Sequence, residues 1–108
     1  IVFNLARNAV DAASESTGRW VRITSRQTEG GIALDVADSG AGVSETIRDR
    51  LFEPFVTDKP DGTGLGLALC QRLTERMGGE LTLVDGPADT MFRLWLPGAE
   101  AQDREAAE

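Results

Sequence analysis

No histidine occurs in the 108 residues of this chain. Its absence excludes Ser-His-Asp and Cys-His catalysis, and histidine-based metal sites with them. Cysteine is nearly as scarce. Cys70 has no partner for an internal disulfide, which suits a reducing cytoplasm. Its neighbours Leu67, Leu69 and Leu73 describe a buried core thiol. Lysine is limited to Lys59 among 11 cationic residues, and 18 acidic residues bring the net charge to -7. An acidic chain gains nothing from counterion release on DNA or RNA, so no nucleic-acid partner is expected. No apolar run approaches membrane-spanning length and no signal-peptide pattern is present. The expectation is a cytoplasmic domain whose parent is either soluble or membrane-anchored. The chain opens at Ile1 inside a helical pattern without an initiator methionine, and reads as an N-terminally truncated piece of a longer protein.

What is present suits one domain, over residues 1–98, followed by an acidic tail or linker at 99–108. IVFNLARNAVDAASES reads as a helix, with apolar positions Phe3, Ala6, Val10, Ala13 and Ile1, Leu5, Ala9, Ala12 forming a broad buried face. Gly18 is its expected stop. WVRITSRQ and GIALDVAD are strands joined at Glu29-Gly30-Gly31. The second of them alternates Ile32, Leu34 and Val36 with Ala33, Asp35 and Ala37. Ser44 caps a short helix through SETIRDRLF, with Glu45 in its first turn. PFVTDKPDGTG has no period and reads as a mobile loop. A helix follows from about Gly64 to Met77, with Leu65, Leu69, Leu73 and Met77 spaced at four, and Gly78-Gly79 ends it. ELTLV and MFRLWLP are strands around DGPAD; Phe92, Leu94 and Leu96 share a face. Strands joined as hairpins predict an α+β, two-layer sandwich: a mixed, mostly antiparallel sheet with helices on one side.

The glycines of DGTGLGLALC fit neither common phosphate motif. A dinucleotide fold needs G-x-G-x-x-G directly after a strand, and a Walker loop needs G-x-x-x-x-G-K-[ST]. What remains is a glycine-rich entry to a helix, whose free amides attract an anion, or simply a tight loop. Three other stretches bear on the choice. Asn4, Asn8 and Asp11 are spaced at i, i+4 and i+7, on one helical face. They form either a solvated stripe or a set of oxygen donors, and a neutral carbonyl oxygen suits Mg²⁺ shared with phosphates. In DSGAGV, Asp38 at a strand end followed by Gly40 and Gly42 is either a plain turn or a carboxylate beside a flat heterocycle. Lys59 is either a surface residue or a movable charge near phosphates.

Taken in order, N-L-x-x-N-A-x-x-A, D-x-G-x-G, F-x-P-F and G-x-G-L-G-L resemble the N, G1, F and G2 boxes of the catalytic ATP-binding domain of sensor histidine kinases. The likeness runs from Ile1 to about Pro97. It is nearest to the nitrogen-regulation and oxygen-sensing type, within a superfamily that includes gyrase, chaperone and mismatch-repair ATPases. The resemblance implies the following roles. Asn8 would be the Mg²⁺ ligand bridging to the ATP triphosphate, and Asn4 would line the same site. Gyrase-type ATPases hold a water-activating glutamate at the position of Asn4, and an asparagine cannot be that base. Asp38 would accept from the adenine amino group, with Gly40, Gly42 and Val43 shaping the pocket and Thr90 supporting the contact through water. Phe52 and Phe55 would anchor a lid, Lys59 would reach phosphates, and Gly62, Thr63, Gly64, Leu65, Gly66 and Leu67 would fold over them. Asp11 stands where many such kinases carry lysine; it would face the ribose, a water or the metal shell.

The implied protein is a homodimer. Its catalytic domain would pass the γ-phosphoryl group to a histidine on a dimerisation domain absent from this chain, for relay to a response-regulator receiver domain. A gyrase- or chaperone-type ATPase, an anti-sigma-type serine kinase and a degenerate scaffold that binds no nucleotide are the alternatives.

Overall fold

The computed structural model describes residues 1–57, 64–84 and 90–98. The expectations placed on Lys59, Gly62, Thr63, the 85–89 turn and the 99–108 tail lie outside the described residues. Four strands form where the alternation is cleanest: β1 (Val21–Thr28), β2 (Gly31–Asp38), β3 (Glu80–Val84) and β4 (Thr90–Pro97). They make one sheet in the order β1-β2-β4-β3, and every pairing among the described residues is antiparallel. Gly30, at φ +82°, supplies the left-handed residue of the β1–β2 turn. The period of two then sorts the sheet into faces. Val36, Phe92, Leu94 and Leu81 join Leu5, Ala9, Leu51 and Cys70 in the core between sheet and helices. Each side chain as fully buried as Leu5 or Val36 stabilises the fold by about 1.5–3 kcal/mol.

Helix α1 (Val2–Ser14) buries Leu5, Ala9 and Ala13. This stripe is narrower than the sequence suggests, because Phe3 and Val10 are exposed. The two alanines bring the helix axis close to the sheet, and the bulkier side chains turn outward. The helix also ends before Gly18. Glu15 keeps a right-handed conformation, and the Ser16 hydroxyl donates to the Ala13 carbonyl at 2.9 Å.

Helix α2 (Glu45–Arg48) begins as expected, with the Ser44 hydroxyl accepting from the Thr46 amide, but stops short of Phe52. Beyond it, three-residue turn bonds from Arg50 to Ile47 and from Glu53 to Arg50 replace the helical ladder. Helix α3 (Gly66–Arg76) starts at Gly66, not Gly64, and ends at Gly78 with φ +78°. Its buried face is Ala68, Cys70 and Thr74, whereas Leu65, Leu69, Leu73 and Met77 are exposed. Small side chains again decide which face packs. Cys70 is fully buried, with its thiol 3.9 Å from the Ile1 carbonyl, so α1 and α3 meet where α1 begins.

On the sheet face away from the helices, Asp35 accepts from Arg93 Nε at 2.8 Å and from Arg26 Nη1 at 2.8 Å. Arg93 stands directly across the ladder from Asp35. Trp95 Nε1 donates to the Thr28 hydroxyl at 2.8 Å on the same side. This cross-strand lattice covers β2 without a second helix layer, and so buries Ala33 and Ala37 on a face otherwise open to water.

Candidate functional site

The last residue of β2 and the first of β4 are partners: Asp38 lies opposite Thr90. Both are on the helix side of the sheet, in phase with Val36 and Phe92, and both are buried. A buried carboxylate at a strand end is costly unless held. The Gly40 amide holds this one, donating to Asp38 Oδ1 at 2.7 Å. Thr90 is the exception. Its Oγ1 is buried with no hydrogen-bond partner among the described residues. A side chain at position 42 would place its Cβ 3.9 Å from that oxygen, and Gly42, at φ +90°, leaves the approach clear.

The loop after Asp38 lies hard against α1. A Cβ at Gly40 would come 2.7 Å from Asp38 Oδ1 and 2.9 Å from Ala12 Cβ. Only glycine fits there. Ala12 shares a helical stripe with Asn8 and Asn4, one and two turns earlier, and all three are half-buried. The structure therefore sets the two asparagines on the stripe that leads to the Asp38 loop. Asp11 is exposed, on the neighbouring stripe. Val43 is partly buried against the core beyond Gly42.

The ends of the loop that carries Lys59 are tied together. The Phe55 amide donates to the Gly64 carbonyl at 2.9 Å, and both residues have positive φ, +69° and +73°. A Cβ at Gly64 would lie 2.6 Å from Phe55 Cα. Gly64 thus packs its main chain against Phe55 at the end of the stretch that the sequence reads as a mobile loop. Phe52 packs edge-on against Phe92, with ring centroids 6.3 Å apart. Phe55 is exposed, at 75% of its surface. Beyond Gly64, Leu65 is exposed and Leu67 packs on the core. Between them Gly66 opens α3, and a Cβ added there would meet no atom within 4 Å.

The geometry unites Asp38, Gly40, Gly42 and Thr90 at one end of the sheet, with the Asn4–Asn8–Ala12 stripe beside them. Among the described residues, no group of three or more His, Cys, Asp or Glu could hold a metal ion.

The family model of histidine kinase-, DNA gyrase B-, and HSP90-like ATPases matches residues 1–100. The chain belongs to this ATPase family. Its relatives within the family include sensor proteins. The C4-dicarboxylate transport sensor protein DctB of Rhizobium meliloti is 38% identical over 99 residues, which cover 92% of this chain and 16% of DctB. Among solved structures, the mycobacterial sensor histidine kinase MprB superposes with a TM-score of 0.76 at 31% identity, covering 90% of this chain and 67% of that one. Full-length ShkA in complex with AMPPNP gives 0.69 at 33% identity, covering 91% of this chain and 21% of ShkA. The chain thus has the α+β fold of histidine-kinase ATP-binding domains, and spans only a small part of the full-length sensors it matches.

Sequence reasoning missed two pieces of the site's surroundings. One is the ion pair network on Asp35. The other is a hydroxyl pair, Ser16 and Ser39, at 2.7 Å. The 23 positions that separate them leave no periodic signal to read.

Proposed function

We propose that this chain binds Mg-ATP and presents the γ-phosphoryl group to a histidine on a separate helical dimerisation domain of the same protein. From there the group would pass to an aspartate of a response-regulator receiver domain. The observation that carries the reading is the buried Asp38–Thr90 pair, with its unpartnered hydroxyl and a glycine-lined approach. A carboxylate acceptor and a hydroxyl able to hold a water suit an adenine, whose amino group donates and whose ring nitrogens accept. Gly40 and Gly42 let a flat ring lie against the main chain.

The phosphate end falls to other residues. Asn8 would hold Mg²⁺ through its side-chain oxygen, with Asn4 beside it. The ion, when bound, neutralises phosphate charge and orients the group in transfer. Lys59 and the Gly62–Leu67 stretch would add a positive charge and main-chain amides. Asn4 cannot take a proton from water, so α1 supplies no general base there. That favours holding ATP for a protein acceptor over hydrolysing it. With no histidine of its own, the chain cannot be the acceptor.

Incubation with γ-labelled ATP, Mg²⁺ and a separately prepared histidine-bearing helical domain tests the reading. Label on histidine of the helical domain, and none on the chain, is expected. Stable label on the chain alone, or rapid release of phosphate without an acceptor, would contradict it.

A further inference from the structure

Three segments that meet behind Asp38 are joined by two serine hydroxyls. Ser39 extends the β1–β2 ladder by one pair: its amide donates to the Trp20 carbonyl at 3.1 Å, and its Oγ accepts from the Trp20 amide at 2.9 Å. Ser39 Oγ also lies 2.7 Å from Ser16 Oγ. Ser16 Oγ is 2.9 Å from the Ala13 carbonyl and accepts from the Arg19 amide at 3.1 Å. Each hydroxyl has a single proton, which fixes the direction. Ser16 must donate to the Ala13 carbonyl, so Ser39 donates to Ser16. The result is one unbroken relay, from the Trp20 amide through Ser39 and Ser16 to the end of α1.

We propose that Ser39, through Ser16, is a positioning residue that sets the adenine selectivity of the site. The inference rests on the reading of Asp38 as the adenine acceptor. Ser39 sits between Asp38, which would meet the base, and Gly40, which holds Asp38 Oδ1 and packs on Ala12. The Asp38 turn has no helix or strand of its own beyond residue 38. Its register against α1, the helix that carries Asn4 and Asn8, is held on one side by Gly40 on Ala12 and on the other by Ser39 on Ser16. Without the second tie, the loop can pivot about Gly40 and carry the carboxylate off the edge of the base. Phosphate contacts would be untouched, because they lie on α1 and on the glycine stretch.

Calorimetric titrations with ADP and GDP on wild type, Ser39→Ala, Ser39→Thr and Ser16→Ala test this. Ser39→Ala removes both the bond to Ser16 and the bond from the Trp20 amide; it is expected to weaken ADP binding about five- to tenfold, the scale of lost hydrogen bonds, and to leave GDP binding unchanged. Ser39→Thr keeps the hydroxyl and should keep the ADP preference. Ser16→Ala, at the half-buried helix end, should lower it as Ser39→Ala does, and reads the same bond should Ser39→Ala fail to fold. For the ADP:GDP ratio, which reads the shared bond, the double variant should be no worse than the worse single; stability can fall further, because each serine also makes bonds of its own. An ADP:GDP ratio unchanged in both Ser39→Ala and Ser16→Ala, or ADP and GDP weakened alike, would overturn the positioning role alone. A wild-type chain with no preference for ADP would overturn the adenine reading, and this inference with it.

Discussion

Asp38 and Thr90 face each other at the open end of the β2–β4 ladder, both buried, one held by the Gly40 amide and the other with a hydroxyl that has no partner among the described residues. An unpartnered buried hydroxyl destabilises a fold, so its presence is informative. Thr90→Val, which keeps the shape and removes the hydroxyl, should raise thermal stability or leave it level. By the desolvation cost of an unmade bond, the gain is up to about 1 kcal/mol. The same substitution should weaken ADP binding about fivefold. Melting curves and ADP titrations on one sample separate the two effects. Lower stability with unchanged ADP binding would make Thr90 a packing residue.

Asn8 is the residue proposed to hold Mg²⁺. Asn8→Ala should weaken ADP binding strongly when Mg²⁺ is present and only slightly in EDTA, a difference of about tenfold on the scale of a lost charge-assisted contact. Equal losses in both conditions would show that Asn8 only packs.

Gly64 packs its main chain against Phe55. Gly64→Ala meets both a left-handed φ and the Phe55 main chain, which should cost about 1–3 kcal/mol by urea unfolding. Gly66→Ala, at an open position at the start of α3, should cost nothing and can stabilise the helix. If the two variants unfold at the same urea concentration, the Phe55–Gly64 tie does not close the loop.

Much of the scaffold is legible in the sequence. β2 and β3 form over the expected residues because alternating patterns admit one register against a core. The box residues Asp38, Gly40 and Gly42 and the strand-end Thr90 converge because strand ends and glycine turns are local signals. The helix faces are harder to read. Phe3, Val10, Leu69 and Leu73 look like core residues by spacing, yet they are exposed, and of the expected faces Ala9, Ala13 and Cys70 stay buried, joined by Ala68 and Thr74. Size complementarity between layers chooses the face, and that is a tertiary property. Gly64 misleads for a related reason: a glycine that permits close approach and one that permits motion have the same local sequence. Ser16–Ser39 and Asp35–Arg93 join residues far apart in the chain and leave no periodic trace.

Asp35 carries a pH dependence of known sign. The Arg93 hydrogen bond, opposed by burial and aided by Arg26, holds its carboxyl below the ordinary value of 3.8. Between that value and the lower native one, the unfolded chain binds more protons, so stability rises with pH. The contribution is complete above about pH 4–5 and disappears as pH falls through the native value. Asp35→Asn should therefore be less stable than wild type at pH 7, and the gap should close at acid pH. A gap that stays constant down to about pH 2 would show that the ion pairs contribute nothing.

The central claim is that this end of the sheet binds an adenine nucleotide, and titration of ADP with Mg²⁺ into the wild-type chain, repeated with Asp38→Asn, tests it most directly. Saturable binding by wild type with preference over GDP is expected, and loss of that preference in Asp38→Asn. No heat at millimolar ADP, or an Asp38→Asn variant that binds and discriminates as wild type does, would contradict it.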